Sequence, residues 1–494
     1  MPGAMIRGSV PLVLVLLAGA CASPGTDPGS DPADTDPDID ASTSGGEQEG
    51  DSTGMEEVEG PTWNEEIAPL VTARCGACHD GEDPLGGLRL TDYEEAQNLA
   101  VVMAGAAHAR TMPPWGAQAT DSCAPELPWR DDLQLPDEEI ELLQQWADAG
   151  APFGDPDTAA PLPPIPNNDL TDANLELQAG TWTLAPGVAD EFRCYSLPLG
   201  LTGDQWLEGI AVEPNDPTVV HHAVFFYDET CQSAQMVDES GSYECFGGAG
   251  VPGASVFSAW TPGSQPTEVP PGSGIPLAEG SCLVMQTHYH PSPVEERTDD
   301  GTIVKLRVTE TPPERTALIN ILGAFDAGQS PEQVGLQPGP NDGPDGPEFI
   351  VPAGVSDHTE TLRIPLSIPG GSDVRIWSLL PHQHVAGSEI RIRIEREGQD
   401  VATPSECLVG VPDWDFNWQR SYAYDAAFEQ LPPVSDGDTL VIECVYDNSE
   451  SNSRLMRVLM NEQGVGPGEV QFVDMPLGDN TLDEMCVAVV GVVF

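Results

Sequence analysis

Two groups of side chains in this sequence have the types and spacing that chemistry requires. In "TARCGACHDG", residues 72–81, Cys75 and Cys78 are separated by two residues and His79 follows at once. Thiols at that spacing form two thioether bonds to a haem, and the histidine becomes an iron ligand. The second group is histidine itself, of which the chain has nine. Apart from His79, six of the other eight fall in three clusters: His221–His222, His288–His290 and His382–His384. His108 and His358 stand alone and read as packing or surface residues. Imidazole suits copper, zinc, iron and nickel, whereas a methionine thioether selects copper, above all Cu(I). His382 and His384 at i and i+2 leave the same face of a strand. His221 and His222 are adjacent, so they share a metal only if their strand twists or ends there.

The elements that must carry these residues differ in kind. "PTWNEEIAPLVTARCGACH" reads as a short amphipathic helix running into the haem motif. "LPDEEIELLQQWADAGAP" reads as a second helix, with acids in its first turn and Gly150 and Pro152 as its stop. Its apolar face is Ile140, Leu142, Leu143 and Trp146. Between them, "ARTMPPWGA" places Met112 in a proline-stiffened loop as the expected sixth iron ligand, with Met103 and His108 as competitors. Residues 61–155 thus resemble a small class I cytochrome c, binding one haem c through Cys75, Cys78, His79 and Met112. His/Met ligation sets a higher potential than bis-histidine ligation.

Beyond the Pro-rich linker, helical periodicity fades. Runs such as "TVVHHAVFFY", "CLVMQTHYHP", "VRIWSLLPHQH", "SEIRIRIER", "TLVIECVYD" and "CVAVVGVVF" alternate with turn residues. That pattern predicts antiparallel β-sandwiches. The expected fold class is therefore multidomain: a small all-α cytochrome c domain followed by two all-β, jelly-roll-like antiparallel sandwich domains. The expected boundaries are a signal peptide over 1–20, an acidic linker over 21–60, the haem domain over 61–155, a linker over 156–174, and sandwiches over 175–312 and 313–494.

Composition bounds the partners. The chain of 494 residues carries 81 acidic and 18 basic side chains, a net charge of −63. That balance argues against nucleic acid and anionic lipid surfaces. Arg7 precedes the apolar run "VPLVLVLLAGA", which is too short to span a bilayer and ends at "LAGAC". Cys21 is expected to be lipidated, with an ordinary signal peptide as the other reading. The expected location is the envelope of a bacterium, lipid-anchored and facing the periplasm or the cell surface. Residues 22–60 hold twelve acids and no base, a self-repelling tether. Of the eleven cysteines, eight remain after Cys21, Cys75 and Cys78 are set aside. An even remainder in an exported chain suggests disulfides.

Five segments, "VVHHAVFFYDETC", "CLVMQTHYHPSP", "LLPHQHVAG", "TLVIECVYDNSES" and "LDEMCVAVV", resemble in order and spacing the type II copper, ascorbate-dependent monooxygenases, over roughly 175–494. The resemblance implies two coppers, one in each sandwich, facing each other across an open cleft. His221, His222 and His288 match the ligands of the electron-supplying copper. His382, His384 and Met485 match those of the oxygen-binding copper and are the implied catalytic residues. His290 is implied to line the cleft. Cys486 matches a half-cystine whose partner sits where Cys444 does. Cys231 is expected to join Cys245 around a short loop, and pairings for Cys123, Cys194, Cys282 and Cys407 stay open.

The implied reaction is hydroxylation of a C–H bond of a small organic substrate by dioxygen, with two electrons per turnover. An ascorbate-like reductant or a respiratory protein would supply the electrons, and the fused cytochrome is placed to pass them on. The sequence departs from the peptide-amidating members where they grip a carboxylate: those positions hold Leu380, Val487 and Val489. A C-terminal glycine peptide is therefore not the expected substrate. The other reading is a copper- and haem-binding electron-transfer lipoprotein without turnover. An interaction module built on jelly rolls would leave the histidine clusters unexplained.

Overall fold

The computed structural model describes residues 60–494 apart from 82–83, 167, 187–190, 246–247, 290–294, 340–341, 345, 369–371, 399–404, 479 and 481. The leader, Cys21, the acidic stretch through Glu59 and His290 lie outside the described residues. Among the described residues no helix is long and apolar enough to cross a membrane.

The regular elements between Trp63 and Asp148 are helical. The segments Trp63–Ile67, Ala68–Arg74 and Gly76–His79 run almost continuously into the CxxCH motif. Thr62 caps the first, its side chain accepting from the Glu65 N–H. Helix Tyr93–His108, capped by Asp92, lays Ala96, Ala100, Ala104 and Ala107 into the same small core as Ile140, Leu143 and Trp146 of helix Asp137–Asp148. The spacing of these residues is the i, i+4 pattern of a buried helix face. Arg74 binds Glu139 through Nε at 2.9 Å and Nη2 at 2.8 Å, tying the motif helix to the closing helix.

Most of the remaining regular structure is strand, in layers that pack around one continuous apolar core. One layer runs Leu175–Gln178, Ile303–Thr309, Gln205–Glu213, Ser273–Leu277. Facing it, in order, are Tyr243–Glu244, Glu191–Pro198, Cys282–Tyr289, Val220–Asp228 and Ser255–Trp260. The strand Cys282–Tyr289 is central and buried along its whole length, apolar over Cys282–Met285 and then carrying Gln286, Thr287 and His288 into the interior.

A second pair of layers repeats the plan. Arg315–Ala324, Cys486–Val493, Val374–His382 and Tyr422–Ala423 form one, and His358–Pro365, Thr439–Tyr446, Gly387–Glu395 and Glu406–Val411 the other. Strict alternation is clearest in Gly387–Glu395. Ile390, Ile392 and Ile394 are fully buried, each contributing about 1.5–3 kcal/mol. Arg391 and Arg393 point outward and share Glu443. A short parallel pairing of Arg315–Thr316 with Ser273–Gly274 joins one layer of each pair into a single sheet.

The stretch after the haem-motif helices does not stay with them. Trp115 and Ala117 belong to the β core. Gln118 donates its N–H to Gly410 O at 3.0 Å, Arg130 donates to Ala423 O at 2.7 Å, and Trp129 stacks on Tyr424 at 4.8 Å. A disulfide from Cys123 to Cys407 pins this crossing.

The disulfides correct one expectation. Cys231 pairs with Cys282, not Cys245, and Cys245 pairs with Cys194. Sheet register decides this. Cys282 lies opposite Asp228, so Cys231 in the following turn comes back over it. Cys194 lies opposite Tyr243, which brings Cys245 beside it. Cys444–Cys486 forms as the resemblance implied.

Candidate metal centres

The first histidine site rests on a β-bulge. His288 lies opposite His222, but the next residue, Tyr289, lies opposite Val220, leaving His221 as the extra residue. A bulge bends its strand and re-aims one side chain. It therefore brings two adjacent histidines to one point, which a flat strand would forbid. The Nδ1 atoms of His221 and His222 are 3.3 Å apart, and those of His221 and His288 are 3.2 Å apart. Ligand atoms of all three lie within 4.8 Å of one another. Phe192 stacks on the His288 ring at 4.6 Å and fixes its plane. Three imidazole nitrogens converging on one volume are a donor set that fits a copper ion.

At the second site His382 ends the strand Val374–His382, and His384 lies two residues on, in the turn that follows. Their rings are 5.2 Å apart. Each ring is anchored through Nδ1: His382 to Gln419 Oε1 at 2.6 Å, His384 to the Asp483 carbonyl at 2.9 Å. Both acceptors fix the proton on Nδ1, and both Nε2 atoms are buried with no hydrogen-bond partner. That is the arrangement of metal-ligating histidines, oriented through the far nitrogen. Burial pushes His382 down to about 3 and His384 down to about 4, so both rings are neutral and their Nε2 lone pairs available.

Met485 is fully buried and immediately precedes the strand Cys486–Val493. His382 lies opposite Val487 in the antiparallel ladder, so continuing that register by two residues sets Met485 opposite His384. Opposed residues share a face. Glu484 locks the junction. Its carboxylate accepts from the N–H groups of His384 at 2.8 Å and Ala386 at 2.7 Å, and from Met485 N at 3.3 Å. Burial pushes its carboxyl up to about 8, against the pull of those donors. Tyr446 O–H donates to the Met485 carbonyl at 2.7 Å, and Trp414 Nε1 to the His384 carbonyl at 3.1 Å.

The three-histidine site borders a narrow cleft whose far side reaches Gln419, the residue that holds His382. His221 and His222 line it on one side, and Leu380, Phe416 and Gln419 on the other. Gln419 thus touches the cleft and holds His382 at once. Leu380 and Val489 are directly opposed across the ladder and, with Trp377 and Ile319, line a small adjoining pocket. No positive charge occurs on this wall. Gln419, Trp414 and Glu484 carried no signal in the sequence, except that Glu484 directly precedes Met485.

In the helical region, Cys75 and Cys78 are the free thiols; the eight other described cysteines are paired. His79 Nδ1 is 3.1 Å from the Leu88 carbonyl, which leaves Nε2 for a metal. Burial lowers the affinity of His79 for a proton. These donors fit a covalently attached haem. Met112 is 37 % exposed at a cavity it shares with Trp115, Leu135 and Ile140. Of its competitors, Met103 packs on the helical core and His108 is exposed.

No family model matches the sequence. It is similar to DBH-like monooxygenase protein 1 of Gallus gallus, 25% identical over 248 residues, covering 48% of this chain and 36% of that protein. The protein of the same description from Homo sapiens is 26% identical over 253 residues, covering 49% and 38%. The chain thus spans little more than a third of the length of these curated relatives. Among solved structures, the major capsid protein P2 from bacteriophage PM2 aligns with a TM-score of 0.24 at 10% identity, over 64% of this chain and 96% of that one. Oxalate decarboxylase OxdC of Bacillus subtilis aligns with a TM-score of 0.10 at 9% identity, over 63% and 92%. Likenesses this weak carry no argument.

Proposed function

We propose that this chain is a copper-dependent monooxygenase that hydroxylates a C–H bond of a small organic substrate with dioxygen, its electrons arriving through a covalently bound haem. One observation carries the reading: three imidazoles converge at a cleft whose far side is Gln419, and Gln419 orients His382 of a second histidine pair that the ladder register sets beside the buried Met485. Similarity to DBH-like monooxygenase proteins over about half the chain supports it.

His221, His222 and His288 would hold one copper, and His382, His384 and Met485 the other. Copper so held supplies one-electron exchange and oxygen activation. The protein's own part is orientation and exclusion of water. Gln419 and the Asp483 carbonyl keep protons on Nδ1 and aim Nε2 inward. Glu484 fixes the turn bearing His384 against the residue before the Met485 strand. Leu380, Val489 and Trp377 give an apolar wall suited to an uncharged part of the substrate. Haem c would be held by Cys75, Cys78 and His79, with Met112 as the sixth ligand. The jelly-roll character of the sandwiches, the lipid anchor at Cys21 and a bacterial envelope location belong to the same proposal.

The test is metal content followed by isotope labelling. The exported, haem-loaded chain should take up two coppers, and His384→Ala one. With ¹⁸O-labelled dioxygen and a panel of benzylic and aliphatic probes, label should appear in a hydroxylated product and vanish in Met485→Ala. A chain that binds both coppers, cycles between their oxidation states and labels no probe would favour the non-catalytic electron-transfer reading.

A further inference from the structure

One edge of the half-buried haem motif lies against the β-rich region. The Cys78 Sγ lies 2.9 Å from the point that a Cβ on Gly263 would occupy, and Arg420 Nη2 lies 3.5 Å from the same point. Gly263 has φ +75 and no side chain, so the thiol reaches the β-turn backbone directly. Both terminal guanidinium nitrogens of Arg420 donate to the Gly263 carbonyl at 3.4 Å. Arg420 is 6 % exposed. Among the described residues no carboxylate pairs with it, and its Nε has no hydrogen-bond partner. An unpaired buried cation in a chain with 81 acids is costly unless something uses the charge. The neighbouring residue in the chain is Gln419, whose Oε1 accepts from His382 Nδ1 at 2.6 Å.

We infer that electrons pass from the haem at Cys78 through Arg420 and Gln419 to the metal held by His382, His384 and Met485, without first visiting the three-histidine site. This rests on the haem and copper reading above and deepens it by naming the entry point. The route from Cys78 meets the Gly263–Arg420 contact, two covalently joined residues and one short hydrogen bond. The competing route runs from Gly263 through Thr261 and Trp260 to Ala223, the ladder partner of Trp260, and on to His222, with no charged group on the way. In each transfer haem iron(II) gives one electron and becomes iron(III), and copper(II) becomes copper(I). Two such electrons serve each hydroxylation, so a small external reductant or a reduced respiratory protein must renew the haem. Arg420, a fixed positive charge beside the thioether edge, favours the less positive iron(II) state and holds the haem potential up.

The experiment uses the full, exported chain with haem and copper contents measured first. A photochemical pulse reduces the haem of the copper(II) protein under argon. Haem reoxidation is followed optically and the copper(II) signal by freeze-quench electron paramagnetic resonance. The fast phase should persist in His288→Ala and disappear in His384→Ala. It should slow by about tenfold or more in Gln419→Leu, the usual scale for losing a partner of a metal-bound histidine, and return in Gln419→Glu, which keeps the acceptor. Arg420→Met should lower the haem midpoint potential, a change that a purely structural role would not produce. A fast phase lost in His288→Ala and kept in His384→Ala overturns the route. If haem stays reduced while both coppers are present and an external reductant still supports hydroxylation, the route and the haem supply fall but the copper chemistry stands. A chain that attaches haem but takes up no copper overturns the oxygenase reading and the route with it.

Discussion

Glu484 offers the sharpest test of how the second site is built. It is fully buried, and its carboxylate is the acceptor for the N–H groups of His384 and Ala386 at 2.8 and 2.7 Å, with a longer contact to Met485 N. Glu484→Ala leaves two short-range donors buried without partners, at about 1–3 kcal/mol each. Some of that is returned because a carboxylate no longer needs to be buried. A net local loss of about 3 kcal/mol is expected, a factor of roughly 10² in the opening equilibrium of the turn. Glu484→Gln keeps one acceptor oxygen but turns an amide N–H toward the other donor, so it should fall between. The readout is hydrogen exchange in a peptide covering Pro381–Gly387, together with copper bound per chain. Protection there should drop by about 10²-fold in Glu484→Ala, and metal affinity at this site by about 10–100-fold, with the three-histidine site unchanged. Unchanged protection and two tightly held coppers would refute the view that Glu484 sets the His384–Met485 geometry.

Further expectations follow from register and close approach. Cys231→Ser should leave Cys282 as a free thiol, alkylated once the chain is denatured, and leave Cys245 blocked, as peptide mapping would show. Breaking Cys123–Cys407, which closes a loop of 284 residues, should cost up to about 5 kcal/mol on a chain-entropy scale and make the 115–130 stretch open to proteases first. Gly323→Ala should unfold or strongly destabilise the second pair of layers, because φ is +130 and a Cβ would stand 2.2 Å from the Cys486 carbonyl oxygen. The loss of cooperative thermal unfolding checks this. Removing copper with a chelator should lower the melting temperature, and restoring it should raise the temperature again in a concentration-dependent way.

What could be read from the sequence was whatever depends on local spacing. The CxxCH motif, the rarity and grouping of histidines, and the alternation in "SEIRIRIER" are local facts, and each reappears as an element or a cluster. What depends on register was hidden. The expectation that Cys231 joins Cys245 rested on nearness in the chain. The central strand Cys282–Tyr289 comes between the two strands concerned and takes Cys231 for itself. The adjacency of His221 and His222 looked like an obstacle to a shared site, because a bulge is a property of the pair of strands, not of either one. The crossing of residues 115–130 onto the second pair of layers had no local sign either, since its partners Gly410, Ala423 and Cys407 lie far along the chain.

The same distinction explains how the second site is held. Its ligands come from a strand end, the turn after it and the residue before a neighbouring strand, and no one of these segments is rigid alone. Rigidity comes from residues outside the ligand set: Gln419 and the Asp483 carbonyl on the rings, Glu484 and Tyr446 on the backbone. Each of these holds a ligand from the side away from the metal, so the inward nitrogens are fixed before any ion arrives. A site prepared in this way needs little rearrangement when its metal gains or loses an electron. Gln419 does more than hold, because it also faces the cleft and is joined to Arg420, which reaches the haem motif. The hydrogen bond to His382 is the ordinary orienting contact of a ligand histidine; what sets Gln419 apart from the Asp483 carbonyl is its covalent link to Arg420, which reaches the haem-motif edge.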